Sequence, residues 1–136
     1  MPTPPQECRL DIRVRYAEVD RMGALHHSRY WPYFEMGRTE LLRAAGVSYR
    51  DLEAAGVFFV VARCWAKYHS PAQYDEVVTL ITRITAMGQA KIDHEYELRG
   101  PDGRLIATAG TTLACVDRNG QVIPIPDAIR GEAPAG

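Results

Sequence analysis

A chain of 136 residues fits one domain, and an apolar share of 46% is enough to bury a core. Lys and Arg total 16 against 17 for Asp and Glu, a formal charge of −1 that speaks against the basic face of a nucleic-acid protein. No apolar run approaches the ~20 residues that cross a bilayer, and the N-terminal MPTPPQE lacks the apolar core of a secretory signal, so a cytoplasmic protein without a membrane partner is expected.

Residues 1–7 and 131–136 read as frayed tails. Residues 8–16 alternate as a strand, with Leu10, Ile12, Val14 and Tyr16 on one face and Arg13 and Arg15 on the other. A loop turning at Gly23 follows, and a helix starts near Ser28 with Pro32 in its first turn, where the missing N–H costs nothing. Tyr30, Phe34, Gly37, Leu41 and Ala44/Ala45 recur at helical spacing as a buried stripe that Gly46 ends. Gly37 costs ~1 kcal/mol of helix propensity and would let the helix lie close on a sheet.

Residues 48–55 read as a second, short helix closed by Gly56. Four strands are expected at Val57–Tyr68, Glu76–Met87, Lys91–Arg99 and Leu105–Val116. The third alternates most clearly, Ile92, His94, Tyr96 and Leu98 against Asp93, Glu95, Glu97 and Arg99. Gly100–Gly103 and Asn119-Gly120 are strong turn signals. Four strands joined this way predict an antiparallel meander, and the amphipathic helix must bury its stripe on it. The fold class is α+β, a sheet wrapped around one helix. Cys8, Cys64 and Cys115 form no CxxC pair and are expected as buried free thiols in a reducing compartment.

The chain has no G-x-S-x-G elbow, no P-loop and no G-x-G-x-x-G. Hydrolysis would therefore fall to a carboxylate, a histidine or a bound water. The densest polar cluster runs from Val19 to Tyr30, with Asp20 in a Gly-containing loop seven residues ahead of His27 at the helix start. A helix start carries unpaired N–H groups that can hold a carbonyl oxygen as it gains charge, and one such donor is worth ~3–4 kcal/mol in the transition state. An Asp beside it can attack the carbonyl or deprotonate water. Taken alone, Asp20 is a turn residue and His27 a cap. Adjacent His26 and His27 diverge and no third ligand has metal spacing, so no metal is expected. His94 is read as a core or interface histidine, and Glu35 with Arg38 as an i,i+3 ion pair or, alternatively, Glu35 as a water-positioning group.

The run R-V-R-Y-A-E-V-D-R-M-G-A-L-H-H-S-R-Y, followed by F-E-M-G-R-T-E-L-L, resembles the YbgC-like and 4-hydroxybenzoyl-CoA thioesterases. Those families show a strand ending in an acidic pair, an Asp, a Gly-bearing loop, then His or Tyr seven residues on. Glu35, Arg38, Thr39 and Glu40 match their helix pattern, and Tyr68–Asp75 resembles the Y-x-x-P-A-x-x-D entry to their third strand. The resemblance spans about residues 9–126 and implies a single hotdog domain, five antiparallel strands around a long helix. It also implies homodimers joined sheet edge to sheet edge, assembling into homotetramers, with an acyl-CoA as substrate and coenzyme A entering only as part of it. In that light Asp20 is nucleophile or general base, and the backbone N–H near His27 is the oxyanion donor, with the His27 ring a second participant. Gly23, Arg29, Tyr30 and Glu35 are expected to contact substrate, Lys91 a CoA phosphate, and residues 59–64 the site of the partner chain. Arg29 stands where many relatives have Asn, and His26 where they have Tyr or Trp, so acyl preference does not transfer. Two rivals are an acyl-thioester dehydratase, whose H-F-P-G-type context is missing, and a non-catalytic acyl-CoA or protein-binding module.

Overall fold

A computed structural model of the chain describes residues 5–131. The remainder of the expected tails, residues 1–4 and 132–136, lies outside the described residues. Strand β1 spans Glu7–Arg13, and two 3-10 turns, Tyr16–Glu18 and His27–Arg29, lead into helix α1, Tyr30–Ala44. Helix α2, Tyr49–Ala54, is capped by the Ser48 hydroxyl, which accepts the Asp51 N–H at 3.1 Å. Strands β2 (Phe58–Tyr68), β3 (Val77–Met87), β4 (Lys91–Arg99) and β5 (Leu105–Val116) follow, with a last short helix α3, Asp127–Arg130.

All pairings are antiparallel, and the strands lie in the order β1-β3-β4-β5-β2. Only β3, β4 and β5 form the expected meander. β2 does not pair with β3; it crosses to the opposite edge and pairs with β5. The link between them, residues 69–76, cannot turn as a hairpin because other elements satisfy its backbone. His69 and Ser70 donate to the Ile106 carbonyl on β5 at 2.8 and 3.2 Å, and Asp75 donates to Val14 beyond β1 at 2.9 Å. Arg104 clamps this link, donating to the Pro71 carbonyl at 2.9 Å and to both Glu76 carboxylate oxygens.

Helix α1 packs on one sheet face. Its buried line is Tyr30, Tyr33, Phe34, Gly37 and Leu41. Ala44 is exposed instead, because the helix ends there and clears the sheet. Phe34 stacks on Tyr96 of β4 with ring centroids 4.7 Å apart, and each ring so buried contributes roughly 2–3 kcal/mol. At Gly37 the approach is closest: a Cβ there would stand 2.1 Å from the Thr82 hydroxyl and 2.8 Å from a Leu80 methyl. Tyr16 departs from the expected strand face; the chain leaves β1 at Arg13 and coils into a 3-10 turn, leaving Tyr16 78% exposed. Cys64 is also exposed, since β2 is an edge strand, whereas Cys115 is buried as expected.

Along β4 the even residues face the helix, as their alternation predicts. His94 among them is 5% exposed, and its Nδ1 has no hydrogen-bond partner among the described residues. Burial, and then the Arg38 charge, push its pKa down to about 4, with Asp93 pulling weakly the other way. The native state thus keeps His94 neutral while the unfolded chain protonates it near 6.5, so stability is full above that value and falls with pH toward 4. Urea melts at pH 7.5 and 5 are expected to differ by about 2 kcal/mol more in the wild type than in His94→Leu. Equal pH dependence in the two proteins would contradict this.

Candidate active site

The polar cluster ahead of α1 folds as a small hairpin. Its base is the Glu18 carbonyl accepting the His26 N–H at 2.9 Å, with Val19 bridging Leu25 above it. At its tip the Asp20 N–H donates to the Ala24 carbonyl at 2.8 Å, and the Gly23 N–H returns to the Asp20 carbonyl at 3.0 Å. Gly23 makes this turn with φ +78°, which a side chain rarely tolerates. The hairpin is fastened to the 69–76 link, where Leu25 donates to Ala72 at 2.7 Å and Tyr74 donates to Gly23 at 2.9 Å.

One oxygen of Asp20 serves the turn. Its Oδ1 accepts the N–H groups of Met22 at 2.8 Å and Ala24 at 3.2 Å. The other has no hydrogen bond among the described residues, and Asp20 is exposed on a cleft of about 420 Å³. Leu25 and Tyr30 line this cleft, His26 and His27 border it at the helix start, and Tyr68 to Pro71 form the opposing wall. Tyr30 is buried, edge-on to Tyr68 at 4.9 Å; burial first, then Tyr68, raise its phenol pKa, and the Asp20 charge adds to the rise.

The 3-10 turn that leads into α1 is capped by His26 rather than His27. The Nδ1 of His26 accepts the Ser28 N–H at 3.2 Å, and its carbonyl accepts the Arg29 N–H at 2.9 Å. His27 holds the first position of the 3-10 turn, where an N–H has no acceptor within its own helix. Its exposed ring lies 4.2 Å from the His26 ring, centroid to centroid. An ionisable carboxylate and an unspent backbone donor therefore border one cleft, the pair needed to hydrolyse an ester or thioester.

Other expected site residues lie elsewhere. Gly23 shapes the turn and Arg29 is exposed; neither lines the cleft. Glu35 faces a separate groove between α1 and β2, of about 260 Å³, with Trp31, Arg38, Val61, Cys64 and Thr111. It makes no ion pair with Arg38, whose guanidinium instead donates to the Tyr96 hydroxyl at 3.1 Å. That hydroxyl also meets the Thr111 hydroxyl at 2.6 Å, so the buried end of the helix–sheet interface draws Arg38 inward, away from Glu35. Lys91 pairs with Ala114, seven residues along β5 from the Ala107 that pairs with Tyr68, a separation of roughly 23 Å. Within one chain it is remote from the cleft.

Sequence reasoning missed Tyr68, His69, Ser70 and Pro71 as cleft residues. The Tyr-His-Ser-Pro-Ala run that marks the strand entry was the signal for them. Among the described residues no cluster of three or more His, Cys, Asp or Glu is arranged to hold a metal, and no helix is long and apolar enough to cross a membrane.

A family model described as the thioesterase-like superfamily matches residues 14–132. The acyl-CoA thioester hydrolase YbgC of Escherichia coli O157:H7 is 31% identical over 109 residues, 80% of this chain and 81% of that protein. The acyl-CoA thioesterase YbgC of Haemophilus influenzae is 31% identical over 107 residues, 78% of each chain. Among solved structures, a DHNA-CoA thioesterase from Staphylococcus aureus superposes with a TM-score of 0.84 at 28% identity, covering 87% of this chain and 80% of its own.

Proposed function

Because the chain belongs to the thioesterase-like superfamily, we propose that it hydrolyses acyl-CoA thioesters to the free acid and CoA, with Asp20 as nucleophile or general base. The observation that carries this reading is the half-free Asp20 carboxylate beside the helix start at His27, in one cleft. The thioester carbonyl sits with its oxygen toward the His27 N–H, which stabilises the oxyanion by ~3–4 kcal/mol. The free oxygen of Asp20 attacks the carbonyl carbon, or takes a proton from a water that does so. The C–S bond then breaks and the CoA thiolate leaves, to be protonated; on the direct route a water then hydrolyses the mixed anhydride left on Asp20, which frees the acid and restores the carboxylate. Tyr30 and Tyr68 supply the apolar wall against which an acyl group packs.

Thiol release from aromatic, short, medium and long acyl-CoA esters tests the reading directly. Turnover of at least one class is expected, and silence across all of them would overturn it.

The reading includes a homodimer formed along β2. This strand ends the sheet and is eleven residues long, and on it Val61 and Trp65 are 52% and 46% exposed. An unpaired apolar edge of that length is a template for another strand, and a second copy of the same edge covers both at once. Sedimentation is expected to give at least twice the 15.2 kDa chain mass, and Val61→Lys to shift it toward the monomer. A wild type that sediments as a monomer at micromolar concentration would exclude the dimer.

A further inference from the structure

We propose that Glu18 is a positioning residue for Asp20, and that its bond to Tyr33 sets where the reactive carboxylate stands relative to helix α1. The proposal rests on the catalytic reading of Asp20 and deepens it. Glu18 is only 5% exposed, although its side chain is a carboxylate. Its Oε1 accepts the Tyr33 hydroxyl at 2.8 Å and the Arg15 N–H at 2.9 Å, and its Oε2 accepts the Arg15 guanidinium at 3.2 Å. Tyr33 is fully buried on α1, between the hairpin and the sheet.

The same residue closes the base of the hairpin through its carbonyl, bonded to His26. The two strands of that hairpin end in different working parts. Asp20 follows Glu18 by two residues, and His27 follows His26 by one. Through its carbonyl Glu18 fixes the two arms to each other. Through its carboxylate it fixes the pair to the helix and to the end of β1. A carboxylate held by a charged and a neutral donor in a buried place is rigid, because loss of either bond leaves a desolvated charge underpaired. The mutual influence is visible on both sides: burial, then the Glu18 bond and charge, raise the Tyr33 phenol, while the Arg15 and Tyr33 bonds together outweigh burial and lower the Glu18 carboxyl. Neither residue lines the cleft, so substrate binding does not require them.

The test is a double-mutant cycle with kcat and KM read separately on one acyl-CoA ester, well below each variant's melting point. Tyr33→Phe is expected to lower kcat about tenfold with KM unchanged, since a displacement on the order of 1 Å is worth that much or more. In an Asp20→Asn background the same change is expected to have no effect on the residual rate. Glu18→Gln keeps an oxygen for Tyr33 and the Arg15 N–H and is expected to stay within about threefold of wild type, while Glu18→Ala falls with Tyr33→Phe. An unchanged kcat in Tyr33→Phe, or equal loss in both backgrounds, overturns the proposal. Full activity of Asp20→Asn alone would instead sink the catalytic reading on which it rests, and the cycle tells the two failures apart.

Discussion

Asp20→Asn is expected to lower kcat for acyl-CoA hydrolysis by more than about 100-fold and to leave the fold intact. The substitution is unusually clean at this position. The Asn carbonyl oxygen can still accept the Met22 and Ala24 N–H groups that Oδ1 holds, so the turn survives. What disappears is the charge and the free oxygen on the cleft, the parts that attack or take a proton in the proposed mechanism. KM should change little, because the cleft walls from Tyr30 and Tyr68 to Pro71 are untouched. The comparison needs kcat, KM and a thermal melt for both proteins. Near-normal turnover in Asp20→Asn would remove this residue from the mechanism.

Gly37→Ala is expected to destabilise the protein by about 2–3 kcal/mol and lower its Tm by roughly 10 °C. The opposing term is helix propensity, which favours Ala over Gly by ~1 kcal/mol. Packing wins because the added methyl would meet the Thr82 hydroxyl at 2.1 Å and Leu80 at 2.8 Å, and both neighbours are themselves buried on β3. The helix must then lift from the sheet, and the Phe34–Tyr96 stack loosens with it. Thr82→Ala removes the nearest obstacle and should restore part of the loss in the double variant. A Gly37→Ala protein that melts at the wild-type temperature would show that the close approach is not what sets this position.

Strands β4 and β5 could be read to the residue because β4 alternates along its length and the Gly100–Gly103 turn divides it from β5. The partner of β2 could not. Most of this strand is exposed on a single chain, so its sequence records an edge and not a neighbour, and the choice between β3 and β5 is made by the backbone bonds of residues 69–76. At the site, Asp20 and His27 stand out through their motif, whereas Glu18 and Tyr33 do not. A buried carboxylate on a 3-10 turn has no period, and its partner is fifteen residues away on another element. Glu35 was misread for a related reason: i,i+3 spacing permits a pair with Arg38, but Tyr96 competes for the guanidinium from across the interface.

The pairing of β1 with β3 carries a consequence for the order in which the molecule acquires its parts. Leu10 faces Leu80 across that ladder, while β3, β4 and β5 are joined by short turns. Local hairpins close quickly, and a contact spanning about 70 residues must wait for the larger loss of chain entropy. The Asp20 hairpin hangs from the end of β1, where Val14 and the residues 75–76 exchange their backbone bonds. A refolding chain would therefore show most of its sheet before it shows a working site. Recovery of activity then clocks the last long-range closure rather than the collapse of the core.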